Sequence, residues 1–256
     1  MKKIALMIAL MFVAALTVTA QEKKADPPKT DAKPAATALP SADEILDKYV
    51  KAIGGKEANE KVTSRFMKGT FEMPAMGMSG SVEAYTQAPN KSATVTEIAG
   101  FGKVQQIFDG KTAWEANPMT GLRELAGSEL AAMKREADFH AELNYKKNYS
   151  KLEVKGKEKV GDAEAYVVMA TPSEGKPDKL YFDAKSGLLL RRDSERDSPQ
   201  GEVATETYYE DYKDVEGVKI PMTMKITNPQ FSFVIKMTEI KTNVKIEDSK
   251  FAKPSA

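Results

Sequence analysis

The sequence predicts a mainly β protein with helices (α+β class), in which about ten antiparallel strands form a single sheet. Most segments after residue 62 alternate apolar and polar side chains, which is the period of a strand with one buried face. An Asp-Gly pair stands between two apolar runs, and two other segments have helical spacing. A sheet of this many one-sided strands is expected to curl, with the helices covering its apolar concave face.

The N-terminal region has the pattern of an export signal. A basic start, an apolar run from Ile4 to Val18 and small residues up to Ala20 are typical of a secretory signal peptide. The apolar run of about 15 residues is shorter than the roughly 20 that a membrane helix needs, although an uncleaved anchor is the alternative. Residues 21–40 contain four prolines among Ala, Lys, Asp and Thr, and they predict a disordered linker. We therefore expect cleavage after residue 20, a periplasmic location and one domain over 41–256.

Composition excludes several classes of protein. The chain has no cysteine, so it lacks both disulfides and the residue that anchors a bacterial lipoprotein. Lys and Arg number 38 against 37 Asp and Glu, or 36 against 37 without Lys2 and Lys3. Because the two signs are interspersed, the sequence does not indicate a nucleic-acid binder or a protein held electrostatically on anionic lipid.

The first helix is predicted directly after the linker. Ser41 is its N-cap and Glu44 reaches back to the Ser41 backbone, which makes a capping box. Gly54-Gly55 ends the helix. Its apolar side chains have helical spacing and need an apolar surface to pack against: Ile45, Leu46, Tyr49, Val50 and Ile53.

The strongest hairpin signal is Asp109-Gly110, which we interpret as a two-residue type I′ turn. One strand ends before it at Phe108, and the returning strand carries Trp114, the only tryptophan. The other main strands are predicted over Val62–Met73, Ser79–Thr86, Ser92–Ile98, Phe101–Phe108, Ala165–Thr171, Lys179–Phe182, Leu188–Arg192, Val203–Tyr212 and Val218–Thr227.

Two irregularities are expected near the C-terminus. Pro221 has no N–H to donate to a sheet, so it predicts an edge or a bulged position. The apolar phase slips by one residue between Met237 and Ile240, which predicts a bulge or sharp bend.

A second helix is predicted over Leu122–Leu143, with Ser128 as a plausible N-cap. His140, the only histidine, falls on this helix and is expected to be a packed or solvated residue. No nucleophile motif, phosphate-binding loop or cluster at metal-ligand spacing is present. We therefore predict no catalytic residue, no metal and no cofactor, although an enzyme with carboxylates assembled around His140 is an alternative.

Several motifs together resemble the periplasmic lipoprotein carrier LolA and its relatives. They occur in the family's order over roughly residues 41–254: Tyr85–Asn90, Asp109–Thr112 with Trp114 and Asn117-Pro118, and Ser249–Phe251 with Pro254. The resemblance implies a strongly curved antiparallel half-barrel with helices as a lid over the concave apolar face. Family members bind acyl chains of lipoproteins or related lipids there and carry them from a membrane donor complex to an outer-membrane acceptor. A monomer is expected.

The chain departs from the family at Ala88. The carrier has at the matching position an arginine that holds the empty cavity shut. Either another group closes the lid of this protein, or the lipoprotein-handling cycle does not operate. A different class of function, an envelope sensor or scaffold that binds a protein partner with the same fold, is the alternative.

Strand parity and the resemblance together suggest the lipid-contacting residues. The expected lining of the sheet consists of Phe71, Met73, Ile107, Trp114, Met222, Met224 and Phe233, and that of the lid consists of Leu130, Met133 and Phe139. Methionine is flexible and suits a lining for mobile chains. The alternative is that these residues form an ordinary core.

Overall fold

The computed structural model describes residues 38–198 and 201–255. The signal peptide and most of the linker predicted from the sequence lie outside the described residues. Within the described part, no helix is long and apolar enough to cross a membrane.

Thirteen antiparallel strands in the described residues form one sheet. Their bounds are β1 Ser64–Met73, β2 Met78–Gln87, β3 Lys91–Ile98, β4 Gly102–Phe108, β5 Ala113–Asn117, β6 Gly121–Glu124, β7 Lys151–Val160, β8 Ala163–Thr171, β9 Asp178–Asp183, β10 Leu189–Ser198, β11 Gly201–Val215, β12 Val218–Thr227 and β13 Ser232–Thr242. The helices are α1 Ala42–Ala52, α2 Gly55–Glu60, α3 Gly127–Glu136 and α4 Tyr145–Asn148.

The sheet consists of two meanders joined at one seam. Strands β1 to β6 follow one another in space, as do β7 to β13, and the pairing of β1 with β13 connects the two series. The sheet is open, with β6 and β7 as its edge strands. This confirms the predicted mainly β class with a single antiparallel sheet.

The predicted irregularities in the last two strands are confirmed. Lys68 pairs with Glu239 and the next residue, Gly69, pairs with Met237, so Thr238 is the extra residue of a bulge. Pro221 lies in the part of β12 that pairs with β11 but precedes its pairing with β13, which starts at Thr223. A missing N–H is tolerated there because the position has the character of an edge.

The first helix begins and ends where the sequence predicts. The Ser41 hydroxyl accepts from the Glu44 N–H, and the Glu44 carboxylate accepts from the Ser41 N–H at 2.7 Å. The backbone carbonyl of Ile53 accepts from Lys219 N–H of β12 at 3.0 Å, so the end of α1 is fixed to the sheet. The apolar side of α1 packs on β8 and β9, where the buried residues include Val168.

The Asp-Gly hairpin is confirmed, but the predicted turn is wrong by one residue. Asp109 N–H donates to the Thr112 carbonyl at 3.1 Å, so the two enclosed residues are Gly110 and Lys111. Only Gly110 of these has a positive φ, at 103°, which fits a type II′ turn and not a type I′ turn. The Asp109 carboxylate accepts from the N–H groups of Lys111 and Thr112 at 2.7 Å each, so its role is to stabilise the turn from outside.

The predicted helix over Leu122–Leu143 is wrong at both ends. Its first residues form β6, in which Arg123 pairs with Glu115 of β5. Helix α3 starts only after Ala126, with Gly127 at a φ of 54°, and it ends at Ala137. The sheet pairing outweighs helix propensity at the start, because β6 gains a hydrogen-bonded neighbour there.

The following segment forms turns instead of continuing α3. The Asp138 carboxylate accepts from the His140 N–H at 3.2 Å and from the side chains of Asn144 and Asn148 at 3.0 Å. An aspartate that bonds to nearby backbone and side-chain donors offers an alternative to the helix. His140 therefore lies in a turn and not on a helix.

Two contacts made by α3 show how strongly the sheet is curved. Met133 of α3 packs with Phe108 of β4, whereas Glu136, one helical turn later, contacts Arg192 of β10. Seven strand spacings separate β4 from β10, or about 34 Å in a flat sheet. Residues one turn apart on a helix are about 5 Å apart. The sheet must therefore curl so that β4 and β10 approach the same helix.

Register divides the sheet residues between two faces. Directly opposite residues of paired strands share a face. When the bulge at Thr238 is taken into account, Phe108, Phe71, Phe233 and Leu180 all lie on the face that contacts α1 and α3. We call this the helix-bearing face and the opposite one the outer face.

Gly54 makes the closest approach of α1 to the sheet, and it allows a specific prediction. Its φ is 114°, and a Cβ there would lie 2.0 Å from the Gly217 carbonyl oxygen. Gly55 also has a positive φ, 83°, but a Cβ there meets nothing within 4 Å. We expect Gly54→Ala to lower the free energy of unfolding by about 3 kcal/mol or more in urea denaturation, because strain and overlap add. Gly55→Ala, which adds only the strain, should cost about 1 kcal/mol. Equal losses would show that the close approach is unimportant.

Candidate functional site

Two neighbouring cavities lie between the helices and the helix-bearing face. The first, of about 420 Å³, is lined by the apolar side chains of Leu125, Ala132, Met133, Val203, Ile226 and Phe233 together with charged side chains that include Arg123, Glu129 and Lys176. The second, of about 370 Å³, is lined by the side chains of five tyrosines: Tyr49, Tyr145, Tyr149, Tyr209 and Tyr212. We call them the apolar cavity and the tyrosine cavity. Both volumes fall in the range of roughly 300–1,000 Å³ that is usual for small-molecule sites.

The apolar cavity is formed by α3 on one side and by strands from both meanders on the other. Ala132 and Met133 come from α3, and Val203, Ile226 and Phe233 come from β11, β12 and β13. Phe233 stands between two other rings, with ring centroids 5.8 Å from Phe231 and 5.2 Å from Phe71. Phe231 is 37% exposed and Phe71 is 5% exposed, so these three rings form an apolar row from solvent to the interior.

Two of the charged side chains in the wall of the apolar cavity are held in ion pairs. Arg123 donates to Glu129 of α3 at 2.8 Å and to Glu115 of β5 at 3.1 Å. Lys176 contacts Glu195 of β10 at 2.5 Å. An ionic group that is already neutralised by its neighbours leaves the apolar surface as the main attraction for a ligand.

The tyrosine cavity combines aromatic rings with hydroxyl groups that are already engaged. Tyr149 donates to Asp178 at 2.8 Å, and Tyr212 donates to the Leu189 carbonyl at 2.8 Å. Burial raises the pKa of Tyr49 and Tyr145 well above the ordinary tyrosine value. These hydroxyls are neutral at any physiological pH, so the cavity presents uncharged amphipathic rings.

An ionic cluster on α3 and β10 separates the two cavities. Arg192 donates to Asp178 at 2.8 Å and lies 3.5 Å from Glu136, which Arg196 also contacts. The side chain of Asp178 is 4% exposed and that of Arg192 is 18% exposed. Glu136 and its neighbour Arg135 line both cavities, and Arg192 lines the tyrosine cavity. The cluster ties the end of α3 to the sheet at the centre of the site.

The members of the cluster stabilise each other's charge. Burial acts to raise the pKa of Glu136, but Arg196 and Arg192 outweigh it, so this pKa lies below its usual value. Burial alone would lower the pKa of Arg192, whereas Glu136 and Asp178 raise it above the ordinary arginine value. Glu136 and Arg192 are therefore both charged at neutral pH.

Several residues expected to line a lipid site lie on the helix-bearing face. Phe233 and Met133 line the apolar cavity, and Phe71 stacks on Phe233. Leu130 packs in the cluster beside Met133. By register, Met224 lies opposite Ile235 on the same face, as Phe71 does. Met73 and Met222 are half-buried in β1 and β12.

Ile107 and Trp114 lie on the outer face, directly opposite each other in β4 and β5. They pack in a cluster with Ala93 and with Phe251 of the C-terminal segment. The apolar run around Phe108 has two buried sides, since Phe108 packs under α3 while Ile107 packs under the C-terminus. Sequence parity alone could not show which side each helix or terminal segment covers.

Phe139 belongs to a third cluster, at the side of the site, with Val62, Val218 and Ile220. The Phe139 N–H donates to the Pro89 carbonyl at 3.0 Å, and the guanidinium of Arg65 lies 5.4 Å from its ring centroid. Ala88 packs against this cluster. The segment after α3 is thus held to the turn between β2 and β3 by a backbone hydrogen bond next to Ala88.

The contacts of His140 indicate a structural role for its ring. Its Nε2 lies 3.1 Å from the carbonyl oxygens of both Asn59 and Val62, so the ring joins this turn to the segment after α2. Among the described residues, no group of three His, Asp or Glu side chains is arranged to hold a metal ion.

Sequence reasoning missed the tyrosines and the ionic cluster. Tyr209 and Tyr212 belong to one predicted strand, and Arg192 ends another, but their spacing along the chain carries no signal of a shared site. A charged residue at the inward position of a strand, as Arg192 is, is a signal that could have been used, because an inward charge needs a partner.

The low pKa of Glu136 leads to a prediction on acid stability. A carboxylate with a lowered folded-state pKa stabilises the fold above its unfolded pKa near 4.5, and this contribution is lost as the pH falls through the folded value. Urea midpoints measured between about pH 5 and 3 should therefore fall less steeply for Glu136→Gln than for the wild type. Glu124→Gln, which removes an exposed carboxylate from β6, should keep the wild-type slope. Parallel slopes for all three proteins would contradict the role assigned to Glu136.

Comparison with solved structures identifies the fold. A LolA superfamily protein from Nitrosomonas europaea is 14% identical, with a TM-score of 0.56 over 84% of this chain and 99% of that chain. A DUF1329 family protein from Desulfovibrio piger is 13% identical, with a TM-score of 0.55 over 82% and 97%. A domain from Vibrio parahaemolyticus assigned to outer membrane lipoprotein sorting is 13% identical, with a TM-score of 0.51 over 83% and 97%.

Sequence comparison adds nothing to this: no family model matches the chain, and no curated protein matches it. At 13–14% identity, the structural likeness establishes the fold alone. The open, curved antiparallel sheet and its agreement with these three structures lead to one conclusion: the chain has a LolA-like fold.

Proposed function

We propose that this protein is a periplasmic carrier that binds the acyl chains of a lipid or lipoprotein on the helix-bearing face. This face is the concave side of the curved sheet, and α1 and α3 cover it. The contact of α3 with both β4 and β10 supports this, since a helix can bridge two distant strands only from the inside of the curve.

The observation that carries the proposal is the apolar cavity under α3. It is large enough for a small ligand, apolar side chains of α3, β11, β12 and β13 line it, and ion pairs neutralise Arg123 and Lys176 in its wall. The row of three phenylalanine rings gives a continuous apolar path from solvent into it. A site with this chemistry favours a flexible hydrocarbon over a charged or sugar-like ligand.

The energetics agree with a carrier. Burying one acyl chain of about a dozen methylenes at ~0.8 kcal/mol each gives roughly 10 kcal/mol of gross stabilisation. A carrier must also release its cargo, so part of this gain has to be offset by movement of the covering helices. The contact between Glu136 and Arg192 is the part of the cover that must break if α3 moves away from β10.

The fold suits this role, and the assignment of the Vibrio domain to outer membrane lipoprotein sorting suggests the cargo. Lipoproteins delivered by a donor complex and accepted at the outer membrane fit the same cavity chemistry. Neither ligand requires a cofactor or a catalytic residue.

A thermal-shift experiment on delipidated protein tests the proposal. We expect the Tm to rise when fatty acids or lysophospholipids are added, and to rise more with a chain of sixteen carbons than with one of eight, because buried area grows with chain length. Phe233→Gln should reduce this shift at least about threefold, whereas Val234→Gln, on the outer face of the same strand, should leave it unchanged. A shift that does not depend on chain length, or equal effects of the two variants, would contradict an acyl site in this cavity.

A further inference from the structure

The structure has an uncharged rim at one end of the sheet. Four turns meet there side by side, namely those between β1 and β2 (74–77), β3 and β4 (99–101), β5 and β6 (118–120), and β12 and β13 (228–231). None of these turns contains Asp, Glu, Lys, Arg or His. This is unusual for a chain with 29% charged residues. Farther along the same end, the described turn between β8 and β9 (172–177) carries charge, so the rim does not extend to that turn.

The turns at the opposite end of the sheet have different chemistry. Of the five described there, four carry at least one charged residue, and these are the turns at 109–112, 161–162, 184–188 and 216–217. Since both sets are surface turns, solvent exposure alone does not explain why the four neighbouring turns of the rim lack charge.

Exposed apolar side chains are concentrated on the same rim. Among the described residues, four large apolar side chains are exposed, and three of them are on it. Met76 is 64% exposed, Met119 is 81% exposed and Phe231 is 37% exposed. The fourth, Leu39, precedes α1, next to Pro40, which lines a small cavity with Gly187 at the other end of the sheet.

The spacing of these side chains decides between kinds of partner. Measured along the curved sheet, the four turns cover about 29 Å across eight adjacent strands, so neighbouring exposed side chains of the rim are separated by roughly 10–20 Å along it. A stable protein interface needs about 800 Å² of continuous surface on each partner. Separate apolar tips without charged groups suit the boundary between lipid headgroups and acyl chains, where each tip can enter alone without burying a charge.

We infer that this rim docks on a lipid bilayer, with Met76, Met119 and Phe231 entering the interfacial region. The rim adjoins the mouth of the apolar cavity, because Asn228 and Phe231 belong to both. Docking would therefore place the row of phenylalanine rings at the membrane surface. The inference concerns the outside of the molecule and does not depend on what fills the cavity.

A flotation assay with neutral phosphatidylcholine vesicles tests the inference. The chain from Gln21 onward is used, which keeps every described residue and removes the apolar run at the N-terminus. We expect it to float with the vesicles, and with little effect of salt, because the rim is uncharged. Met76→Gln, Met119→Gln and Phe231→Gln should each lower the partition coefficient at least about threefold, and the triple variant at least about tenfold.

Matched control variants distinguish the rim from the rest of the molecular surface and from the cavity. Leu39→Gln removes an exposed apolar side chain outside the rim and should bind vesicles as the wild type does. Met133→Gln, which changes the cavity wall on α3, should also retain vesicle binding, so failure of the rim and failure of the acyl site give different results. Binding only to anionic vesicles with loss in salt, no binding at all, or rim variants that bind normally would each overturn the inference.

A fluorescence measurement reports which end of the sheet faces the vesicle. Because the chain has no cysteine, Met119→Cys and Lys111→Cys can each be labelled at a single position with an environment-sensitive fluorophore. Vesicles should shift the emission of the label at Met119 to the blue and leave that at Lys111, in a turn at the opposite end, unchanged. The reverse result, or equal shifts, would overturn the docking geometry.

Discussion

The pairing of β1 with β13 is the constraint on which the rest of the structure depends. It joins strands about 170 residues apart in the chain and turns two meanders into one sheet. The close fit requires Gly69, where a Cβ would lie 2.2 Å from the Lys236 carbonyl, and it requires the extra residue Thr238. Because a bulge increases bend and twist, the same seam that joins the two meanders also helps to curve the sheet. Without the seam, the apolar cavity would not have strands from both meanders in its wall.

Helix α3 connects two distant parts of this curved sheet. Its apolar side packs on β4 and β5, and Glu136 at its end contacts Arg192 and Arg196 of β10. A partly buried ionic cluster adds little net stability, but it fixes position, since removing one partner leaves another charge unpaired. The cluster therefore lies where the space between the helices and the sheet is divided, with the apolar cavity on one side and the tyrosine cavity on the other. A ligand that occupied both would have to displace it.

The cavity and the rim make the two ends of the sheet chemically different. The apolar cavity extends to the end of the sheet at which four neighbouring turns lack charge, while four of the five described turns at the other end carry charged residues. Both features come from strand order, because antiparallel neighbours bring alternate turns to the same end. The proposed acyl site and the proposed membrane contact are thus adjacent without sharing the residues that test them.

The sequence by itself determined the local structure. The Ser41 capping box, the hairpin after Phe108, the edge character at Pro221 and the bulge before Ile240 each depend on a few neighbouring residues, and the chain shows each of them. Tertiary structure decided what depends on distant pairing. It made β6 a strand where spacing indicated a helix, placed Trp114 on the outer face, and brought Arg192 to Glu136. Parity tells which side chains share a face, but only the tertiary contacts of the curved sheet decide which face is covered, and by what.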